Sequence, residues 1–536
     1  MYMGYPDDLK STLEKVAASR ERRLSETPGR LSLDDKERLL HLYHPDYRPE
    51  AMAEIRVGVN KGDRAVKEFV AVLESYGQID PERFKPLEPD LEADVLVVGG
   101  GGSGATTAYF AARGGARVVL ATKLRFGDSN TIMAEGGIAA ATHPKDSPCQ
   151  HYVDSLVGGR FSNVPELVEA LVLDAPIIIH WLKGLGVGFG LNPDGTFITH
   201  ASGGHSWPRN HAWSDLTGLE VLRTIRDEVL RLGVTVLEFH PTVELILDEH
   251  GRCWGAVLKN LDTNKLVVIR ARLVVLATGG MGRLHPQGFP TSNHYGATAD
   301  GLVLAYRAGA KLVFMDAIQY HPTGTVWPEP AFGLLVSEST RANGAQLVNA
   351  HGERFIYELE TRDAVASSII RETRERGNGV RTSTNRVGVW LDLPTLEYIG
   401  GPGRVRSRFP HIHGRFMKYG IDVSKVPVLV YPTQHYQNGG ILIDPQARTG
   451  VENLLMAGEA AGGVQGRNRL GSNSLTDIFV FGRRAGLYAA QACREARNGS
   501  PTFSHLRAYH SELRSLGIPP GRKAPILFPD YVRGDL

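Results

Sequence analysis

Five glycines in six positions, Gly99-Gly100-Gly101-Gly102-Ser103-Gly104, sit between the apolar, β-branched run Asp94-Val95-Leu96-Val97-Val98 and a helical stretch, Ala105–Arg113. Such a run reads as a buried strand, so the chain is constrained here to strand, tight turn and helix. Gly99, Gly101 and Gly104 stand at GxGxxG spacing. Gly99 permits the turn, Gly101 lets the backbone approach a pyrophosphate, and Gly104 lets the helix pack on the strand. The helix N-terminus offers free N–H groups to an anion. In an ordinary NAD-binding unit the next strand ends in an acid that bonds the ribose. The strand Arg117–Thr122 ends instead in Thr122-Lys123, which favours a variant flavin site.

With 536 residues, 42% hydrophobic and 22% charged, the chain can hold more than one core. Its formal net charge of +2 gives no reason to invoke nucleic acid or an anionic membrane. No uninterrupted apolar run approaches the roughly 20 residues needed to cross a bilayer. Met1–Arg23 is polar with no apolar segment, so no export signal is expected and a cytoplasmic location is the default. Cys149, Cys253 and Cys493 lie far apart, which excludes a disulfide framework and any CxxC-type metal or iron–sulfur motif. Electrons that travel through iron–sulfur clusters would need another polypeptide.

Residues 1–90 read as a helical extension, with helix-compatible spacing in Leu9–Arg23 and Lys61–Tyr76 and a Pro-containing linker, Asp80–Pro89. Arg270–Ala277 reads as another buried strand, ending at Thr278-Gly279-Gly280. Residues 312–434 form an insertion, after which Gly-rich sequence resumes at Gly439-Gly440 and Ala457-Gly458-Glu459.

Further segments follow the glycine turn in a fixed order: Ala134-Glu135-Gly136-Gly137-Ile138, Asp300-Gly301, His321-Pro322-Thr323-Gly324, Glu338 with Arg341, Thr361-Arg362-Asp363, His435 with Gly439-Gly440, and Glu459 with Asn468-Arg469-Leu470. In this order, from about Asp94 to Gly486, the chain resembles the flavoprotein subunit of the fumarate reductase and succinate dehydrogenase family, which also includes soluble fumarate reductases and L-aspartate oxidase. The resemblance implies an α/β fold: a Rossmann-like FAD-binding domain in two parts, 91–311 and 435–490, interrupted by an α+β capping domain at 312–434. Residues 1–90 precede it and a short segment, 491–536, follows. It also implies that Gly136 and Gly137 approach the FAD phosphates, that Lys123, Ser129 and Thr131 flank the dinucleotide, and that Asp300, Glu459, Ser474 and Leu475 complete the cofactor site.

A C4 dicarboxylate brings two negative charges into a pocket that must exclude water, so it needs charge-assisted donors at both ends. The resemblance assigns these to His321, Ser337, His435 and Arg469, and the planar fork of Arg469 suits a carboxylate. It makes Arg362 the proton donor, with Glu338 and Arg341 relaying protons from solvent. Family members that tether FAD covalently carry a histidine within Ser-His-Thr. This chain has Ser129-Asn130-Thr131, so its FAD is expected to be non-covalent and fumarate reduction to be favoured over succinate oxidation. Ser337 replaces the usual threonine, Asn343 stands where many members have glutamate, and Gln437-Asn438 replaces the more usual Thr-Met. The expected partners are a small dicarboxylate and a separate iron–sulfur or other electron-transfer protein, which could hold the chain at the edge of a membrane complex. Gly203-Gly204-His205-Ser206 is similar to L-aspartate oxidase, so that activity stays open. So do reduction of another α,β-unsaturated carboxylate and a non-catalytic electron-relay role.

Overall fold

The computed structural model describes residues 4–85, 88–285 and 287–528. The linker expected over Asp80–Pro89 and the C-terminal segment 491–536 lie partly outside the described residues.

The strand of the glycine turn runs from Leu91 to Val98 and sits in the middle of an eight-stranded sheet. On one side it pairs in parallel with Val118–Ala121, which pairs with Thr235–Leu237. On the other it pairs in parallel with Leu266–Leu276. The end of that long strand also accepts Leu454–Met456 in parallel, while its beginning turns back antiparallel through Cys253–Lys259 and Thr242–Asp248. Strands buried on both faces read as unbroken apolar runs, which is why Val95–Val98 and Leu273–Leu276 carry no alternation. The helices Gly102–Arg113 and Asn473–Ala492 pack against each other beside this sheet. The first starts three residues before the expected Ala105, because the glycines themselves form its first turn.

A second, antiparallel sheet has the order Ile318–Thr325, Val428–Gln437, Val387–Asp392, Gln346–Val348. Val428–Gln437 is one continuous strand, so the division expected at 434/435 falls inside it. Through this strand the second sheet delivers His435 to the same space that the first sheet's turns enclose.

The N-terminal extension is only partly helical. Helices Lys10–Leu24 and Leu33–Tyr43 form, but the helix expected over Lys61–Tyr76 is confined to Lys67–Leu73. Gly62 turns in the left-handed region at φ 96°, and Arg64–Val66 then pairs antiparallel with Met52–Glu54. Tyr76–Gly77 pairs with Lys523–Ala524. The extension packs closely on the second sheet. Arg20 and Arg23 both bond the buried carboxylate of Asp392, and the Trp390 indole donates to Thr12.

Candidate functional site

In the turn after Leu91–Val98, two of the three motif glycines are held by close backbone contacts. A Cβ on Gly99, whose φ is 118°, would lie 2.2 Å from the Ala277 carbonyl oxygen, and one on Gly104 would lie 1.9 Å from that of Gly99. Both positions exclude a side chain by contact with backbone, whereas a Cβ on Gly101 would meet only the Ser129 and Thr131 side chains, at 3.3 Å or more. Gly136 has nothing near its missing Cβ, but one on Gly137 would strike the His211 carbonyl at 2.1 Å. Gly137 is therefore required by packing as well as by any approach of a phosphate.

These turns open into a cavity of about 590 Å³. Gly99, Gly101, Lys123, Ser129, Thr131, Gly136, Gly137, Asp300, Glu459, Ser474 and Leu475 all line it, and Gly104 alone of the expected cofactor residues does not. Thr131 Oγ1 accepts the Gly102 N–H at 3.1 Å, fixing the turn. Lys123 and Asp300 are ion-paired at 3.0 Å, and Lys123 also donates to Thr298 and to the Ile526 carbonyl. Ser103 Oγ, at the helix N-terminus, is buried without a hydrogen-bond partner among the described residues. A cavity that meets a helix N-terminus, a spare hydroxyl and side-chain-free backbone fits the diphosphate of FAD.

At its other end the same cavity is lined by His321, Ser337, Glu338, Arg362, His435 and Arg469. Each is placed by a different local device. His321 lies on the buried strand Ile318–Thr325, and its Nδ1 accepts the Thr323 N–H, so the ring proton sits on Nε2, which has no partner among the described residues. Ser337 caps the short helix Glu338–Ala342. His435 Nδ1 lies 2.7 Å from Ser292 Oγ. Arg362 begins the helix Arg362–Ile370 and donates through Nε to Glu338 at 2.6 Å. Arg469 lies over the Tyr436 ring, 4.5 Å from its centroid, and donates to Ser474 Oγ at 3.1 Å, with Nε left unpartnered among the described residues. Arg341 does not line the cavity. It stands behind Glu338, 3.6 Å away, and bonds the Glu358 carbonyl.

Burial works against the charge of Glu338, yet Arg362, Arg341 and the Gly203 N–H outweigh it and hold the carboxyl down at about 2. Burial, followed by repulsion from Arg362, pushes Arg469 down to about 9. His321 and His435 are driven well below the usual imidazole range by burial and the same arginines, so both are neutral. Neutral imidazoles and crowded guanidinium groups make a pocket that is short of negative charge.

Gln319 escaped the sequence reading. Its Oε1 accepts from Arg469 at 2.9 Å and from Arg362 at 3.3 Å, while its Nε2 donates to Asn468 Oδ1 and the Arg469 carbonyl. Period-two alternation on a strand places Gln319 on the same face as His321, which is the signal that could have found it. Gly203, whose N–H reaches Glu338 Oε1 at 2.7 Å, stood out in the sequence only as part of its tetrapeptide. Asn130 is tied to Asn293, to Glu459 and to the His294 N–H.

A nucleotide cradle that runs directly into a cationic pocket defines the class: an FAD-dependent oxidoreductase. The family described as FAD binding domain matches residues 94–475. A CoM/CoB fumarate reductase chain of Methanothermobacter marburgensis is 38% identical over 411 residues, covering 75% of this chain and 73% of that one. The L-aspartate oxidase of Streptomyces coelicolor is 36% identical over 407 residues, covering 74% and 68%. Among solved structures, the E. coli quinol fumarate reductase FrdA matches with a TM-score of 0.72 and 31% identity, covering 80% of this chain and 74% of that one. The chain belongs to the fumarate reductase/succinate dehydrogenase flavoprotein family, with FAD as its cofactor. No helix among the described residues is long and apolar enough to cross a membrane.

Proposed function

We propose that the chain reduces the double bond of a C4 unsaturated dicarboxylate, fumarate being the simplest, with Arg362 as proton donor. The observation that carries this is the charge of the pocket: Arg362 and Arg469 line it and are buried, with Arg341 behind them, around the ionised Glu338, and the Arg469 Nε and His321 Nε2 N–H groups have no partner among the described residues. A dianion supplies what that arrangement lacks, since unpaired buried cations are costly.

Gly99, Gly101, Lys123, Ser129, Thr131 and Glu459 would hold FAD in the adjoining cradle, where it would supply the hydride for one alkene carbon. Arg469 clamps one carboxylate, and His321 Nε2, Ser337 and His435 donate to the substrate's oxygens, drawing electron density away from the double bond. Arg362 gives a proton to the other carbon, so that one hydride and one proton convert the alkene to CH–CH. Arginine is a poor acid in water. Here its proton leaves towards a carbanion-like centre, and the loss of its charge removes the main attraction that keeps Glu338 ionised. Glu338 then takes up a proton and returns it to Arg362, with Arg341 completing the path. Asn130 offers no imidazole to bond the flavin, which supports a non-covalent FAD and the reductive direction. Relatives named as subunits support electron supply by a separate protein, iron–sulfur or other.

The likeness to L-aspartate oxidase gives a second reading. An α-ammonium in this pocket would meet arginines, and Glu338 is already engaged by Arg362, Arg341 and the Gly203 N–H. The fumarate reading is therefore preferred. Anaerobic re-oxidation of a reduced viologen tests it: fumarate should re-oxidise the dye faster than other enoates, and L-aspartate with oxygen should yield no hydrogen peroxide. Peroxide formation from aspartate without fumarate turnover would reverse the choice.

A further inference from the structure

The family match begins at residue 94, and the segment before it contacts the helix that carries Arg362. Helix Leu33–Tyr43 packs along Arg362–Ile370. Glu360, two residues before Arg362 and buried, accepts the Leu31 N–H at 3.0 Å and pairs with Lys36 at 2.8 Å. On the other side of Arg362, Asp363 accepts the Ala364 N–H within the first turn of the helix and takes the Arg160 guanidinium, which in turn donates to the Tyr47 hydroxyl. Arg160 comes from a loop in which it and Phe161 both have positive φ, 57° and 54°, a conformation non-glycine residues hold only when their surroundings enforce it. Next to Tyr47, Asp46 accepts the Tyr320 hydroxyl at 3.0 Å, immediately before His321.

The extension thus bonds Glu360 directly, reaches Asp363 through Arg160, and touches Tyr320, the neighbour of His321, while Lys36, Asp46 and Tyr47 all stay outside the cavity lining. Donors of this kind must be held to within about half an ångström of the productive geometry by the shell behind them. We propose that the N-terminal extension is a brace that sets the position of Arg362 for proton delivery, with Lys36 and Tyr47 as positioning residues. This rests on the reading of Arg362 as the acid.

The test uses the full-length, FAD-loaded protein and the double substitution Lys36→Met with Tyr47→Phe. Fumarate-dependent kcat should fall about tenfold, and KM should stay within about twofold. The solvent deuterium isotope effect on kcat should rise, because proton delivery becomes slower while binding does not. Lys36→Arg alone should behave as the parent. Amide hydrogen exchange should quicken across residues 362–370 and stay unchanged in Asn473–Ala492. Unchanged kcat and isotope effect, or a loss that tracks only FAD content, would overturn the brace. If the parent reduces no C4 enoate, the functional reading fails separately, and the exchange pattern alone decides: no quickening at 362–370 overturns the brace.

Discussion

Arg362 and Arg469 share the Gln319 amide oxygen but stand in different relations to Glu338, and that difference separates their roles. Arg362 is bonded to the carboxylate that can reload it, whereas Arg469 lies over Tyr436 with an Nε that no described residue accepts. Arg362→Ala should lower fumarate turnover by about 10²–10⁴-fold, the range of a lost general acid, with FAD retained. Arg469→Ala should weaken a non-reactive dicarboxylate by roughly 2–5 kcal/mol, as for loss of a desolvated charge partner. Titrating the flavin absorbance with the inhibitor, beside steady-state rates, separates the two. Near-parent turnover by the Arg362 variant would remove it as the acid. At Asn130 the expectation is chemical: acid precipitation should release FAD into the supernatant, and a washed pellet that keeps its flavin fluorescence would show a covalent bond.

Elements differ in how far the sequence displays them. The strand and helix around Gly99–Gly104 were legible because Gly99 and Gly104 answer to close backbone contacts, whereas His321-Pro322-Thr323-Gly324 was legible as a motif and not as the strand it lies on. The extension was legible only in its first helix, expected over Leu9–Arg23 and found at Lys10–Leu24. Its helix-like spacing over Lys61–Tyr76 is broken by Gly62 and by pairing of Arg64–Val66 with Met52–Glu54, a tertiary choice that periodicity does not encode. Gln319 was missed because its only signal, the two-residue spacing from His321, counts once that segment is known to be a strand. Arg160 was missed because its partner Asp363 lies 203 residues away. The glycines allow a sharp comparison. Gly104→Ala places a methyl group within 1.9 Å of a backbone oxygen, so helix and strand must part, and the protein should lose both FAD and several degrees of thermal stability. Gly136→Ala meets nothing in the protein. It should keep the apoprotein's melting temperature and weaken FAD alone, as read by flavin titration of the apoprotein. Equal melting temperatures for both variants would refute this division.

At the scale of the whole molecule, the extension and the second sheet meet at His285, in the loop that follows the long strand Leu266–Leu276 of the glycine-turn sheet. Its Nε2 lies 2.9 Å from Asp46 and its Nδ1 2.6 Å from Glu68, both on the extension, while Tyr320 on the second sheet donates to Asp46. Burial alone would lower the imidazole, but the hydrogen bonds and charges of Asp46 and Glu68 overcome it and raise the group from 6.5 to about 9. A folded-state value above the unfolded one gives stability that is fully present below about 6.5 and is lost as pH rises through about 9. At about 1.4 kcal/mol per unit, the contribution is on the order of 3 kcal/mol. Urea unfolding of the parent should therefore weaken between pH 6.5 and 9.5 relative to His285→Gln, whose amide does not titrate. Groups common to both proteins, such as Asp477, which burial pushes up to about 7, cancel in that difference. The loss should start where the extension docks, so limited proteolysis at pH 9.5 should cut within the first 85 residues before the remainder of the chain. A difference between parent and variant that stays flat from pH 6.5 to 9.5 would mean that His285 does not carry its charge in the folded protein, and that the three parts are joined there by packing rather than by a buried ion cluster.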